Sequence, residues 1–132
     1  MNIMNESYDA LLGSPASGWQ EVSVQLAADK LHDFSPSDWY ELTERALTKP
    51  AYWQERCAEA AGATGGEFAD TLLTKLLNSD HLQVAAIAAS ELENMSVKPS
   101  PNLRPRLMQI YAYLESQQSP RKDDVMRLLR NM

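Results

Sequence analysis

The stretch from residue 79 to residue 95, SDHLQVAAIAASELENM, restricts the fold more than any other part of the chain. Between Leu82 and Leu92 it is apolar on nearly every face and includes four alanines. A surface helix has one apolar stripe and a polar back, so a helix without a polar back must be covered on several sides. At roughly 15 residues it is shorter than the about 20 that a bilayer requires. We therefore expect an internal helix that neighbouring helices cover.

Apolar residues recur at helical spacing along the rest of the chain. No stretch alternates with a period of two residues, and no Asn-Gly or Asp-Gly hairpin turn is present. The pattern predicts an all-α fold of about seven helices. Their expected ranges are 17–33, 36–48, 50–62, 66–78, 80–95, 102–116 and 120–131. The apolar stripes place the following residues in the core: Trp39, Leu42, Thr43, Ala46, Leu47, Trp53, Cys57, Ala60, Ala61, Phe68, Leu72, Leu73, Leu76, Leu77, Leu103, Leu107, Ile110, Tyr111, Leu114, Val125, Leu128, Leu129 and Met132.

Four helix starts carry a capping-box pattern, in which one side chain accepts a backbone N–H bond and the residue three positions later reaches back. The pairs are Ser17 with Gln20, Ser35 with Asp38, Thr64 with Glu67, and Asp80 with Gln83. Gly62 is placed to end the preceding helix in the left-handed conformation, and Gly65 and Gly66 suit the following turn.

The chain has 132 residues, a length that fits one domain. Residues 1–14 are compatible with one helical turn or a loosely docked tail, and three prolines make 97–105 the clearest loop. The N-terminal stretch has neither a basic lead nor a long apolar run, so we expect no signal peptide. The single cysteine, Cys57, falls on an apolar face and has no partner for an internal disulfide, which fits a reducing, cytoplasmic compartment.

The formal net charge is −6, and the charges are unevenly distributed. Residues 1–62 hold ten acidic and four basic side chains, residues 63–97 hold five and one, and residues 98–132 hold three and seven. An acidic surface repels nucleic acid and attracts a basic partner. Acidic surfaces also keep many proteins soluble, and charge alone does not separate these two explanations.

The links between the predicted helices are short, which makes successive helices antiparallel neighbours. Three hairpins of about 30 residues follow, close to the period of helical solenoid repeats. They pair 36–48 with 50–62, 66–78 with 80–95, and 102–116 with 120–131. In such a stack the central hairpin has neighbours on both sides, so its second helix is the one that must be apolar all round.

Two segments within residues 35–95 carry a family resemblance. LLTKLLNSDHLQVAAIAASELENM resembles a HEAT-like repeat, with a leucine-rich first helix, a short Asn-Ser-Asp turn, and then Val84, Ala88 and Leu92. ALTKPAYWQERCAEAAG resembles the preceding unit, with Pro50 at the turn. The resemblance implies a short right-handed stack of antiparallel HEAT/ARM-like hairpins.

In its small size, acidic charge and the segment KPAYWQERCAEAAG, the chain is similar to small bacterial immunity proteins. Those proteins bind and neutralise a cognate toxin domain, as in contact-dependent growth inhibition. The resemblance implies a basic toxin partner, often a nuclease domain, that the immunity protein occludes. The alternatives are a protein-binding scaffold or adaptor with no toxin partner, and an enzyme on a helical fold such as a repeat-type DNA glycosylase.

The sequence lacks motifs that carry chemistry. His32 and His81 lie far apart and no paired metal-ligand spacing is present, so we expect no metal and no cofactor. GATGG at 62–66 lacks the Gly-Lys-Ser/Thr ending of a phosphate-binding loop. The basic C-terminal third has no interleaved aromatics, and with a pI of about 4.8 the chain does not fit direct nucleic-acid binding. We predict a protein that is not an enzyme.

The remaining candidates are exposed carboxylates and one tyrosine on the polar faces of the helices. The predicted protein-binding residues are Asp38, Glu41, Glu44, Tyr52, Glu55, Glu59, Asp70 and Glu93. Glu55 and Glu59 are four residues apart and share one helix face. In the predicted mechanism these carboxylates attract a basic partner surface, and the body of the stack then occludes it.

Overall fold

The structure, a computed structural model, describes residues 6–14, 19 and 21–132. These residues form eight α-helices and no strand, which confirms the predicted all-α fold. The helices are α1 (Glu6–Leu12), α2 (Glu21–His32), α3 (Pro36–Arg45), α4 (Ala51–Thr64), α5 (Glu67–Leu76), α6 (Leu82–Asn94), α7 (Arg104–Ser116) and α8 (Lys122–Arg130). Short 3-10 turns at Ala46–Thr48 and Pro101–Leu103 precede α4 and α7. The seven predicted ranges correspond to α2–α8; the cap predicted at Ser17 lies outside the described residues.

α3 begins at the capping box that the sequence predicted. The Ser35 hydroxyl accepts a hydrogen bond from the Asp38 backbone N–H at 3.1 Å, and the Asp38 carboxylate accepts one from the Ser35 N–H at 3.1 Å. Pro36 follows in the first turn, where its missing N–H leaves no helical bond unmade. Two otherwise unpaired backbone donors are therefore satisfied at this helix start.

The cap predicted at Thr64 for α5 is wrong, and so is the end of α4 predicted at Gly62. α4 runs through Gly62 to Thr64, whose hydroxyl donates to the Ala60 carbonyl at 2.8 Å. Gly65, with a φ of 71°, ends the helix, and Gly66, with a φ of 93°, precedes α5. The left-handed conformation that only glycine adopts at little cost thus occurs three residues later than the sequence suggested.

The cap predicted at Asp80 is also wrong, because α6 begins at Leu82 with His81 as its N-cap residue and without a side-chain cap bond. The His81 backbone N–H donates to the Ser79 hydroxyl at 3.2 Å, just before α6 begins. The same hydroxyl donates to Oε1 of Gln54 on α4 at 2.7 Å. A buried hydrogen bond from Ser79 to α4 therefore fixes the turn between α5 and α6, and the sequence around Asp80 does not reveal this bond.

The helices form two connected layers. In one layer α2, α4, α6 and α8 follow each other, each packed against the next. In the other, α5 packs against both α4 and α6, and α7 packs against both α6 and α8. α3 packs chiefly against α5, so the predicted hairpin of 36–48 with 50–62 is joined through its 3-10 turn and not along the length of α3. The HEAT-like geometry of this stack stays a prediction.

α6 is the helix that the opening stretch predicted to be internal. It packs against α4, α5, α7 and α8, and its four alanines, Ala85, Ala86, Ala88 and Ala89, are fully buried. Small side chains let the neighbouring helices approach closely on several sides, which explains why this helix has almost no polar face. Neither α6 nor any other helix in the described part of the chain has the length and apolarity to span a membrane.

Most residues of the predicted apolar stripes are buried. Five of them are only partly buried, namely Thr43, Leu47, Leu103, Tyr111 and Met132, and one is exposed. Cys57 is fully buried, and Trp39 and Trp53 are buried as well. Phe68, which the helical spacing placed in the core, is instead 46% exposed and stacks on Trp39. Position 68 lies in the first turn of α5, where no helix of the described residues covers it on the outer side, so periodicity alone overestimated its burial.

α1 is docked onto the stack by apolar and polar contacts. Tyr8 and Leu12 are fully buried, and the Tyr8 ring meets the Trp53 ring edge-on with centroids 6.2 Å apart. Asp9 accepts hydrogen bonds from Trp53 Nε1 at 2.9 Å and from Lys49 Nζ at 3.0 Å. Of the two alternatives for the N-terminal segment, the described residues therefore form a docked helix.

Candidate protein-binding site

Tyr52, Glu55 and Glu59 lie along one face of α4, because their spacings of three and four residues match the helical repeat. Tyr52 is exposed, and both glutamates are half-buried. The neighbouring helix α6 contributes a further half-buried carboxylate, that of Glu91. These four residues are called the carboxylate face below.

The Glu91 side chain lies directly over Gly62 of α4. A Cβ atom at position 62 would lie 2.1 Å from Oε1 of Glu91 and 2.7 Å from its Cγ. Any larger residue at this position would displace the Glu91 side chain. Gly62 is therefore needed for the close approach of a carboxylate to the α4 backbone, and its own conformation is ordinary helix.

Glu59 repels both Glu55 and Glu91, and these carboxylates lie in a partly desolvated place. Burial raises the pKa of Glu55 and that of Glu91, and the charge of Glu59 raises both pKa values further. Arg121, at the start of α8, lies near enough to lower both pKa values in part. Within the described residues, however, no cation is within the 4.0 Å ion-pair distance of any of these carboxylates. The face therefore holds negative charge that is incompletely balanced.

Arg56 is buried beside the carboxylate face and contacts the ring of Tyr52. Its guanidinium carbon lies 5.1 Å from the Tyr52 ring centroid and 5.0 Å from that of Trp19. The guanidinium also donates to two backbone carbonyl oxygens at and just beyond the end of α1, at 2.8 and 2.7 Å. The indole N–H of Trp19 donates to Glu59 at 3.3 Å. The ring of Tyr52 and the carboxylate of Glu59 are thus positioned before any partner arrives.

Two further predicted binding residues are already used in ion pairs. Glu41 lies 3.7 Å from Arg45 within α3, and Glu93 on α6 accepts a hydrogen bond from Arg127 on α8 at 2.8 Å. The second pair joins the acidic body to the basic C-terminal third of the chain. These carboxylates are less available to a partner than those of the carboxylate face.

The other three predicted residues lie outside the carboxylate face: two make local hydrogen bonds, and one lies on a different surface. Asp38 belongs to the α3 capping box, and Asp70 accepts a hydrogen bond from the Thr74 hydroxyl at 3.2 Å. Glu44 lies on α3 at the edge of a groove between α3 and α5. None of the residues that line this groove belongs to the carboxylate face. Of the eight predicted residues, Tyr52, Glu55 and Glu59 are the ones that the structure brings together.

Sequence reasoning missed Glu91 and Arg56. Glu91 lies in the apolar segment that the sequence predicts to be internal, and no local pattern singles out Arg56. A glycine inside a helical pattern often marks a close approach, so Gly62 was an available signal for some neighbour. The identity of that neighbour depends on how α4 and α6 pack, which no local pattern contains.

Comparison of the chain with protein-family models, with curated proteins and with solved structures gives no match. In the part of the chain that the structure describes, no group of three His, Cys, Asp or Glu side chains is arranged to hold a metal ion. The carboxylate face combines an exposed aromatic ring with three carboxylates whose charge is incompletely balanced, which is an arrangement suited to receiving Lys or Arg side chains.

Proposed function

We propose that this protein binds a basic partner protein through the carboxylate face. The observation that carries the proposal is the grouping of Glu55, Glu59 and Glu91 on two adjacent helices without a cation in ion-pair distance among the described residues. Keeping like charges together in a half-buried place is unfavourable in the free protein. A Lys or Arg supplied by a partner converts that repulsion into attraction, so part of the binding free energy comes from relief of the repulsion.

Tyr52 supports the same proposal. Exposed tyrosines held in a fixed orientation are frequent anchors in protein interfaces, since they contribute contact area at low entropic cost. The Tyr52 ring is 48% exposed and lies over the buried Arg56. The acidic sign of the neighbouring groups favours a protein partner over nucleic acid, whose phosphates would be repelled.

For the class of partner, we propose a bacterial toxin domain, with this protein as its immunity partner. The support is the similarity to small bacterial immunity proteins in size, acidic charge, HEAT-like hairpins and the segment KPAYWQERCAEAAG, together with the acidic face that a basic, nucleic-acid-cleaving domain would complement. Binding would occlude the toxin, and long-range attraction would speed the association. A scaffold with a non-toxic basic partner would use the same face.

The first experiment is a pull-down with this protein as bait from a lysate of its source organism, eluted with increasing salt. The recovered partner is then expressed alone and together with this protein. A partner that kills cells only when expressed alone supports the immunity function. A partner that is harmless when expressed alone contradicts it and supports the scaffold.

The carboxylate face is tested with the variant Glu55→Gln/Glu59→Gln and with a charge-matched control, Glu67→Gln/Glu115→Gln, whose side chains are exposed and lie off the face. We expect the first variant to weaken binding by about tenfold or more and to reduce its salt dependence, and the control to change affinity little. Equal affinities for both variants, measured by calorimetry, would show that the partner binds elsewhere.

A further inference from the structure

A groove between α3 and α5 is lined by exposed aromatic rings. The Phe68 and Trp39 rings stack with centroids 5.8 Å apart and an interplanar angle of 13°. Phe68 is 46% exposed and Tyr40, next to it in the groove, is 66% exposed. The groove has a volume of about 400 Å³, within the size range of specific binding pockets.

The groove also carries a carboxylate that is not paired. Glu44 is exposed at its edge, and among the described residues no cation lies within ion-pair distance of it. The neighbouring cation on the same helix, Arg45, is bound to Glu41 instead. The lining residues are Pro36, Trp39, Tyr40, Thr43, Glu44, Phe68 and Thr71, and none of them is basic.

We propose that this groove binds an arginine side chain presented by a partner protein. The planar guanidinium stacks on aromatic faces and at the same time donates two parallel hydrogen bonds to a carboxylate. Tyr40 and Phe68 supply the faces, and Glu44 supplies the carboxylate. The apolar stem of the arginine and a neighbouring aliphatic residue cover the exposed rings, which removes apolar surface from water.

Charge complementarity favours an arginine side chain over other ligands of the groove. An anionic or phosphate-bearing ligand would meet the Glu44 carboxylate and the net negative charge of the chain. A neutral apolar segment would leave the carboxylate without a partner once water is excluded. An arginine satisfies both the rings and the carboxylate. The inference does not rest on the proposed function, because the groove and the carboxylate face lie on different helices.

The test is an NMR titration of the full chain with three blocked pentapeptides, Ala-Leu-Arg-Leu-Ala and its analogues with citrulline or lysine in the central position. Citrulline keeps the shape of arginine but has no charge. We expect the arginine peptide to shift the amide signals of Tyr40, Thr43, Glu44, Phe68 and Thr71, with a dissociation constant on the order of millimolar. The lysine peptide should bind more weakly, and the citrulline peptide at least several-fold more weakly.

Glu44→Gln should remove the preference for arginine over citrulline, whereas the exposed control Glu115→Gln should keep it. Phe68→Leu, which keeps an apolar side chain at the first turn of α5, should weaken binding of all three peptides. Equal shifts with the citrulline peptide, or no shifts in the groove, would overturn the proposal. The variant Glu55→Gln/Glu59→Gln should bind the arginine peptide normally, so failure of the groove and failure of the carboxylate face are distinguishable.

Discussion

At the scale of single residues, Glu91 and Gly62 show how a site is made from two positions that are uninformative alone. Gly62 removes a side chain from α4, and the Glu91 carboxylate of α6 occupies the space. Burial and the nearby Glu59 then raise the pKa of Glu91. A carboxylate in such a place destabilises the folded protein when it is ionised.

The raised pKa of Glu91 predicts how stability depends on pH. The ordinary value, 4.5, applies to the unfolded chain, and the folded value is higher. The stabilising contribution of the protonated form is therefore fully present below the unfolded pKa and is lost as the pH rises through the folded pKa. Glu91→Gln removes this loss, so we expect the variant to be more stable than the natural protein near neutral pH.

The expected gain from Glu91→Gln should shrink as the pH is lowered towards the ordinary carboxyl pKa of 4.5. Urea unfolding at several pH values measures it, with Glu115→Gln as an exposed control whose effect should be small at every pH. A Glu91→Gln variant that is less stable near neutral pH, or whose effect is independent of pH, would contradict the proposed origin of the pKa shift.

At the scale of helices, the ends are set by two different kinds of interaction. α3 starts at Ser35 through bonds that lie within four consecutive residues, and the sequence predicts it correctly. α6 starts where the Ser79 hydroxyl binds the His81 N–H and reaches Gln54 on α4. Asp80 is of a good capping type, but its side chain makes no cap bond to α6, whose N-cap residue is His81.

This difference between the two helix starts can be measured. We expect Ser35→Ala to cost about 1 kcal/mol of unfolding free energy, because it removes a real cap. Asp80→Ala should cost less than half of that, since the Asp80 side chain caps nothing and is exposed to solvent. Chemical denaturation followed by circular dichroism gives both values, and a larger cost for Asp80→Ala would mean that the cap assignment is reversed.

At the scale of the whole molecule, α6 connects the acidic N-terminal helices to the basic C-terminal ones. It packs against α4 and α5 on one side and against α7 and α8 on the other. The ion pair of Glu93 with Arg127 adds a polar link across the same junction, and Arg106 of α7 donates to the carbonyl oxygen of Leu77 at 2.6 Å, at the end of α5. One ion pair and one bond from an arginine to a backbone carbonyl thus join the acidic part of the chain to its basic part.

Because α6 is central, we expect a packing defect in it to destabilise the helices on both sides of it. Ala88→Leu inserts three carbon atoms where no space is left, and it should cost about 1–3 kcal/mol or more. Ala112→Leu, at an exposed position of α7, should change stability by less than about 0.5 kcal/mol. Hydrogen exchange of Ala88→Leu should accelerate in both α2–α4 and α7–α8; acceleration confined to α6 would disprove this coupling.

The sequence by itself determined the helices and the burial of α6. The period of the apolar residues is a local property, and it was sufficient for α2 to α8 within a few residues. The absence of a polar face on α6 was sufficient to show that neighbours must cover it. The sequence also predicted the capping box at Ser35 correctly, because all of its atoms belong to four adjacent residues.

Only the tertiary structure decided which side chains meet. Glu91 and Glu59 come together because α6 packs along α4 at Gly62, and Phe68 is exposed beside Tyr40 because α3 packs on α5. The carboxylates of Glu41 and Glu93 are bound to arginines, whereas those of Glu44 and Glu55 are not. The periodicity of a helix fixes the face on which a residue lies. The free energy of a charged side chain, however, depends on the groups that lie opposite that face, and these are determined by the packing of the helices.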